Sequence, residues 1–263
     1  MKDLSAYLDP LNLPGWRYFP EVGSTNDLAL AWAQNGAEDG ALILADRQTA
    51  GRGRAARRWV TNPGSALALS LVLRPKAEEA RYLPRFAALA ALGLVGALEE
   101  WGLEALVKWP NDVLLDGKKV AGVLVENIWQ GEDLEAVVVG MGVNVTAEAV
   151  PPEDELRFPA TALELQLGQK LDRWAVLAGI LQRIKVYRAI LPTDALMTAW
   201  NAKLAFKGSE VAFRFPNGQI RKAQVLAIRP DGRLALQLNG ESEPSFVVDG
   251  EVTFVGRGGT LKD

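Results

Sequence analysis

The residues of this chain best suited to chemistry are cations placed among glycines. Between Arg47 and Trp59 the sequence reads RQTAGRGRAARRW. Gly51 and Gly53 let a backbone come close to a ligand and reach dihedrals that other residues avoid. Arg52, Arg54, Arg57 and Arg58 offer fixed forks of donors that fit a carboxylate or a phosphate. A solvated basic loop or a nucleic-acid patch would have the same composition, so this segment alone does not decide. Three more segments have the same character. Lys108–Asp112 reads KWPND, where Pro110 stiffens a turn and aims Lys108 and Asn111 from a strand end; a plain turn with Asp112 accepting from backbone N–H groups fits equally. Lys118–Glu126 reads KKVAGVLVE, leading Lys119 into an apolar strand with Gly122 three residues on. That spacing lets a cation reach a pocket while a ligand packs on bare backbone, although a solvated hairpin lysine is the commoner outcome. Gly140–Val145, GMGVNV, sets two glycines and Asn144 at a strand end, which suits close approach or a bulge.

Composition narrows the chemistry. The chain has 263 residues, 49% hydrophobic and 23% charged, enough for an ordinary core in one large domain or two smaller ones. With 29 basic and 32 acidic residues the net charge is -3, which argues against general nucleic-acid binding. There are no cysteines and no histidines. Disulfides, thiolate catalysis, serine–histidine triads and the commonest metal ligands are thereby excluded. Catalysis must run on Lys, Arg, Asp, Glu, Asn, Ser or Thr, with a bound metal or cofactor. The opening MKDLSAYLDPLNLPGW lacks an apolar signal core, and no run is long enough for a membrane helix, so the expected compartment is the cytoplasm.

The elements that must position these residues follow from periodicity and turn signals. Strands are predicted at 16–19, 41–45, 65–73, 106–109 and 134–145. Asp116-Gly117 joins strands at 113–115 and 120–126 in a hairpin. Helices are predicted after Ser24 or Thr25, over 84–101 despite Gly93 and Gly96, over 171–190, and behind a cap at Thr193. From about Lys207 short apolar runs alternate with Asn217-Gly218, Asp231-Gly232, Asn239-Gly240 and Asp249-Gly250, the spacing of a small antiparallel barrel. A boundary is therefore expected between residues 1–203 and 204–263. The class is α+β, a mixed or antiparallel sheet with helices packed on it, followed by a small β domain.

Taken in order, GRGRAARRW, KWPND, KKVAGVLVE and GMGVNV resemble the biotin protein ligase family. Gly23-Ser24-Thr25-Asn26 upstream and Gly250–Phe254 downstream fit it too, so the resemblance runs from Tyr18 to Phe254. It implies a class II synthetase-like catalytic domain and an SH3-like C-terminal barrel. It implies two steps: biotin and ATP give biotinyl-5′-AMP and pyrophosphate, and a lysine of the biotin carboxyl carrier protein of acetyl-CoA carboxylase then takes the biotin and releases AMP. Mg²⁺ accompanies ATP, its ligands unassigned. A homodimer formed edge to edge through the catalytic sheet is an assembly the family uses. The fifteen or so residues ahead of the catalytic part are too few for a helix-turn-helix, so the chain resembles the ligase-only form. A lipoate–protein ligase and a non-catalytic biotin or adenylate sensor are the rival readings.

The resemblance also implies roles. Lys119 would contact the biotin carboxylate and the α-phosphate, and Arg54 would neutralise phosphate and help the loop fold over the adenylate; these are the catalytic pair. Ser24, Thr25, Asn26, Gln48, Gly51, Arg52, Gly53, Lys119 and Gly122 would bind biotin. Arg54, Arg57, Trp59, Lys108, Asn111, Lys119 and Asn144 would bind the nucleotide. Asp112 is expected to be structural. The family loop usually reads GRGRRGRxW, so Ala55 and Ala56 replace an arginine and a glycine, and Ala56 is expected to restrict the backbone. With few apolar contacts, the loop is expected to be mobile without ligand.

Overall fold

The runs ALALSLVL at 66–73 and AVVVGMGV at 136–143 are apolar on both faces. Only strands covered by helices on both sides can bury such runs. The computed structural model, which describes residues 3–59, 61–156 and 158–253, puts them side by side in the middle of a sheet. In chain order the elements are α1 (Ser5–Leu8), β1 (Trp16–Val22), α2 (Thr25–Gln34), β2 (Leu42–Gln48), β3 (Ala66–Leu73), α3 (Ala77–Ala80), α4 (Pro84–Glu99), β4 (Ala105–Lys108), β5 (Asp112–Leu115), β6 (Lys118–Gln130), β7 (Asp133–Asn144), α5 (Leu163–Leu167), α6 (Arg173–Arg188), α7 (Asp194–Ala202), β8 (Glu210–Arg214), β9 (Ile220–Ile228), β10 (Leu234–Leu238), β11 (Ser245–Val247) and β12 (Glu251–Thr253).

The first sheet runs β1-β2-β3-β7-β6-β5-β4, parallel only between β1 and β2. Helix α2 covers one face, and α4 and α6 cover the other. The second sheet, β11-β10-β9-β8-β12, is antiparallel throughout. This is the α+β arrangement expected, with the second antiparallel sheet where an SH3-like domain belongs. Phe254 lies outside the described residues.

Local chemistry accounts for the joints. Asp116 and Gly117 both take positive φ, 47° and 70°, closing the β5–β6 hairpin. The Thr193 hydroxyl accepts from the Ala195 N–H and caps α7. A Cβ on Gly93 would come within 2.5 Å of Ile184 Cγ1, so the glycine lets α4 and α6 close on each other. Ser24 stands at the N-cap of α2 but makes no cap bond; the Gln48 side chain accepts from the Thr25 N–H at 2.8 Å in its place. The segment after α7 stays with the first sheet as far as Ala205, whose N–H donates to the Val107 carbonyl at 2.9 Å. The two sheets are fastened where Trp109 Nε1 donates to the Gly232 carbonyl at 3.0 Å and buried Arg85 donates to the carbonyls of Leu191, Thr193 and Pro230.

Candidate active site

A cavity of about 370 Å³ lies between the first sheet, the N-terminus of α2, the arginine loop and the second sheet. Arg52, Arg54, Arg57, Arg58, Lys108, Lys119 and Arg214 line it, against three carboxylates, Asp112, Asp249 and Glu251. A protein of net charge -3 has therefore gathered an excess of positive charge into one recess. Such focusing selects anionic ligands.

A β-bulge aims Lys119. In the β5–β6 pair Asp112 faces Gly122 and Leu114 faces Lys119. Asp112 and Leu114 are two apart and share a face; their partners are three apart. The extra residue, Val120, puts Lys119 on the face of Asp112. The Lys119 Nζ then lies 2.6 Å from Asp112 Oδ1 and 3.1 Å from where a Cβ on Gly122 would be. The room that Gly122 leaves is thus filled by the Lys119 ammonium. Backbone bonds fasten the lysine from behind, its N–H to the Pro159 carbonyl at 2.7 Å and the Thr161 N–H to its own carbonyl at 2.9 Å. Its ammonium also stands 5.7 Å from the Trp59 ring centre.

Asp112 holds a second cation. Lys108 Nζ lies 3.2 Å away with its side chain 3% exposed, between the Val252 carbonyl and the Phe158 ring. Burial pushes the Asp112 carboxyl up, but Lys119 and Lys108 outweigh it and hold it below the usual carboxylate range. Asp112 is therefore the hinge of the cation array, and the sequence reading gave it no such place. Asn111 is fixed on the neighbouring strand, its Nδ2 donating to the Val123 carbonyl at 2.6 Å.

Beyond the cations lies a polar recess. Ser70, buried in the middle of β3, donates to Asn26 Oδ1 at 2.6 Å and lies 2.8 Å from Thr25 Oγ1. Thr25 Oγ1 in turn donates to Gln48 Oε1 at 3.1 Å. Ser24 lines the cavity with a hydroxyl that bonds to none of the described residues. Leu69, Val123 and Met141 supply apolar wall. Ser70 went unread, though it is the one hydroxyl in an otherwise apolar run.

The arginine loop closes on itself through the Trp59 N–H to the Gly51 carbonyl at 2.9 Å and the Gly53 N–H to the Arg57 carbonyl at 2.7 Å. The Trp59 ring packs against β7, where a Cβ on Gly142 would be 2.2 Å from it. The left-handed residue of the loop is Ala55, φ 54°, so the strain falls there and the expected restriction at Ala56 is displaced by one position. The anchors are ion pairs. Arg52 forks onto Glu126 at 2.8 and 3.0 Å and reaches Asp27 at 2.6 Å; Arg54 meets Asp249 at 2.6 Å; Arg57 meets Glu251 at 2.5 Å. Burial pushes the Glu251 carboxyl up, while Arg57 and Lys108 more than offset it and hold it low.

Of the residues singled out in the sequence, Ser24, Thr25, Asn26, Gln48, Arg52, Gly53, Arg54, Arg57, Trp59, Lys108, Asn111, Lys119 and Gly122 line this one cavity. Gly51 and Asn144 do not. Gly51 is spent on the loop's own closure, since a Cβ there would be 2.4 Å from the Trp59 carbonyl. Asn144 is buried with its Nδ2 on the Thr161 carbonyl at 3.0 Å, steadying the segment that fastens Lys119. Among the described residues no group of three or more His, Cys, Asp or Glu side chains is placed to hold a metal ion, and no helix is long and apolar enough to cross a membrane.

The comparisons agree with this geometry. Residues 18–144 match the Biotin/lipoate A/B protein ligase family. The Bifunctional ligase/repressor BirA of Bacillus subtilis is 33% identical over 243 residues, 89% of this chain and 73% of that protein. The Biotin--[acetyl-CoA-carboxylase] ligase of Mycobacterium tuberculosis is 36% identical over 246 residues, 87% of this chain and 86% of that one. The biotin protein ligase from Aquifex aeolicus, solved in complex with biotin and ATP, superposes with a TM-score of 0.76 over 92% of this chain and 98% of that chain at 27% identity. The chain belongs to the biotin protein ligase family.

Proposed function

We propose that the chain is an ATP-dependent biotin protein ligase that forms biotinyl-5′-AMP and passes biotin to a lysine of a biotin carboxyl carrier protein. The observation that carries this reading is the join between the Ser24–Thr25–Asn26–Gln48 recess, backed by buried Ser70, and the Lys119–Arg52–Arg54 cations in one cavity. A ureido ring has donors and acceptors for the recess, and the valerate carboxylate then extends toward Lys119. A dithiolane ring has neither, and would leave buried polar groups such as Ser24 unmatched at about 1–3 kcal/mol each. Lipoate therefore fits this recess worse than biotin.

The first step needs no proton transfer. A carboxylate oxygen of biotin attacks the α-phosphorus of ATP; the bond to the α–β bridging oxygen breaks, and pyrophosphate leaves with the electron pair. Lys119, held by Asp112, neutralises both anions as they meet, and Arg54 exchanges Asp249 for a phosphate oxygen. Preorganised charge of this kind is usually the largest contribution to catalysis. Asp112 is already engaged by two lysines, so Mg²⁺ is best read as arriving on the phosphates, as MgATP substrate. Trp59 and the closed loop keep water from the mixed anhydride until the carrier amine arrives. The remaining parts of the reading are a cytoplasmic location and a division of the chain at 203/204; the second sheet's own hydrogen-bonded ladder, from Glu210 on, supports two units, with Leu204 and Ala205 still bonded to the first.

The test is transfer. The full chain, incubated with biotin, MgATP and an unmodified carrier domain, should leave one biotin in amide linkage on the carrier and release AMP. Transfer of lipoate to a lipoyl domain in place of biotin to the carrier would overturn the assignment.

A further inference from the structure

The cations of the cavity are almost all engaged. Arg52, Arg54 and Arg57 hold carboxylates, and Lys108 and Lys119 share Asp112. Two guanidinium groups on the lining pair with no carboxylate among the described residues, Arg58 on the loop and Arg214 on the second sheet. Arg214 is the more informative. It is half-buried, and nothing in the sequence motifs marks it. The carboxylate directly across from it in the β8–β12 ladder is Glu251. Side chains at such opposed positions share a face of the sheet. Glu251 nevertheless turns to Arg57, at 2.5 Å, leaving Arg214 unpaired.

The mounting of Arg214 is stiff. It closes β8, paired with Glu251 on one side and Ile220 on the other. The next residue, Phe215, donates its N–H to the Gln219 carbonyl at 2.8 Å and stacks edge-on against Phe213 at 4.9 Å. The backbone that carries the guanidinium is thus fixed, and its planar fork loses less freedom per hydrogen bond than an ammonium would.

Resting on the adenylation reading, we propose that Arg214 binds the β- and γ-phosphates of ATP and receives the departing pyrophosphate, with Arg58 as its neighbour across the cavity. The cations beside the recess, Lys119 and Arg52, serve the carboxylate and the α-phosphate. The anion still to be matched is the diphosphate, and the free guanidinium groups are those on the loop and the second-sheet wall. As the α–β bond breaks, charge builds on the bridging oxygen, and a bidentate donor stabilises it. The second sheet would then be part of the nucleotide site, contributing a charge that leaves with the first product.

The experiment compares the full chain with Arg214→Ala and Arg214→Lys in biotin-dependent exchange of labelled pyrophosphate into ATP. Arg214→Ala should raise the KM for pyrophosphate and for ATP about tenfold or more. The KM for biotin, and the affinity for a non-hydrolysable biotinyl-AMP analogue that lacks the diphosphate, should stay at parent values. Arg214→Lys, which keeps the charge but not the fork, should recover only part of the loss. Parent-like KM values for pyrophosphate and ATP in Arg214→Ala would overturn the proposal, and so would an equal loss of analogue binding, which would mark a merely structural role. Absence of biotin-dependent exchange in the unaltered chain would strike the ligase reading instead. Calorimetric titration with inorganic pyrophosphate then decides Arg214 by itself: weaker binding in Arg214→Ala upholds it, unchanged binding removes it.

Discussion

Asp112→Asn gives the sharpest test of how the cations are held. The carboxylate neutralises Lys108 at 3.2 Å and Lys119 at 2.6 Å. The Lys108 side chain is 3% exposed, so its charge has no water to fall back on. Breaking a buried pair by removing one partner costs about 3–5 kcal/mol. Lys119 is 26% exposed and can rehydrate, which adds only about 0.5–1 kcal/mol. An asparagine oxygen still accepts one hydrogen bond, so the lower end applies, about 4 kcal/mol in all. That is a large share of the roughly 5–15 kcal/mol by which domains are stable. Urea unfolding followed by tryptophan emission measures it. Lys108→Met in the same background should recover a good part of the loss, because it deletes the stranded charge, and the cycle should return a coupling of about 2–3 kcal/mol. A loss under about 1 kcal/mol in Asp112→Asn, or simple additivity with Lys108→Met, would refute the claim that Asp112 is the hinge of the array.

Three other predictions follow from the same geometry. Lys119→Ala should keep the fold, since Lys108 still partners Asp112, yet slow single-turnover formation of biotinyl-AMP by on the order of 10²–10³; adenylate formed at the parent rate would remove Lys119 from the chemistry. Gly142→Ala puts a Cβ 2.2 Å from the Trp59 ring, so the ring must lift, with a cost of about 1–3 kcal/mol and a red shift in tryptophan emission; an unshifted spectrum would contradict the packing. Acid should unfold the chain partly through Asp112. Its folded carboxyl sits below the usual range, so the unfolded state binds the proton more readily, and the stabilisation is complete above about pH 4 and lost as pH falls further. Glu251, also held low, acts in the same direction. The urea midpoint of Asp112→Asn should vary less with pH over this range than that of the parent.

What could be read from the sequence was local, and what could not was register and distance. Asp116-Gly117 announced its hairpin because two positive φ values need such a pair. The apolar runs at 65–73 and 134–145 announced two strands, though not that these pair at the buried centre of the sheet. The bulge at Val120 could not be foreseen, because one unpaired residue leaves no mark on composition, and without it Lys119 would face away from Asp112. The partners of Arg54 and Arg57 lie 195 and 194 residues downstream, beyond the reach of any spacing rule. Asn144 looked available for a ligand because its segment is rich in glycine; the Thr161 carbonyl that takes its amide comes from a loop with no pattern. Gly122 was read as room for a ligand and Gly142 as a close approach or a bulge; both line the cavity, and the atoms that come nearest are the protein's own Lys119 and Trp59. Glycine in a strand shows that something comes close, without saying whose atoms they are.

On the proposed function, this cavity joins a carboxylate to the α-phosphorus of ATP. Exchange of labelled pyrophosphate into ATP, with Mg²⁺ and without any carrier protein, measures that step alone. Exchange should depend on biotin, find no support in lipoate, and fall by on the order of 10²–10³ in Lys119→Ala. A folded chain that binds biotin and ATP yet exchanges no label, or exchanges it equally with lipoate, would contradict the account.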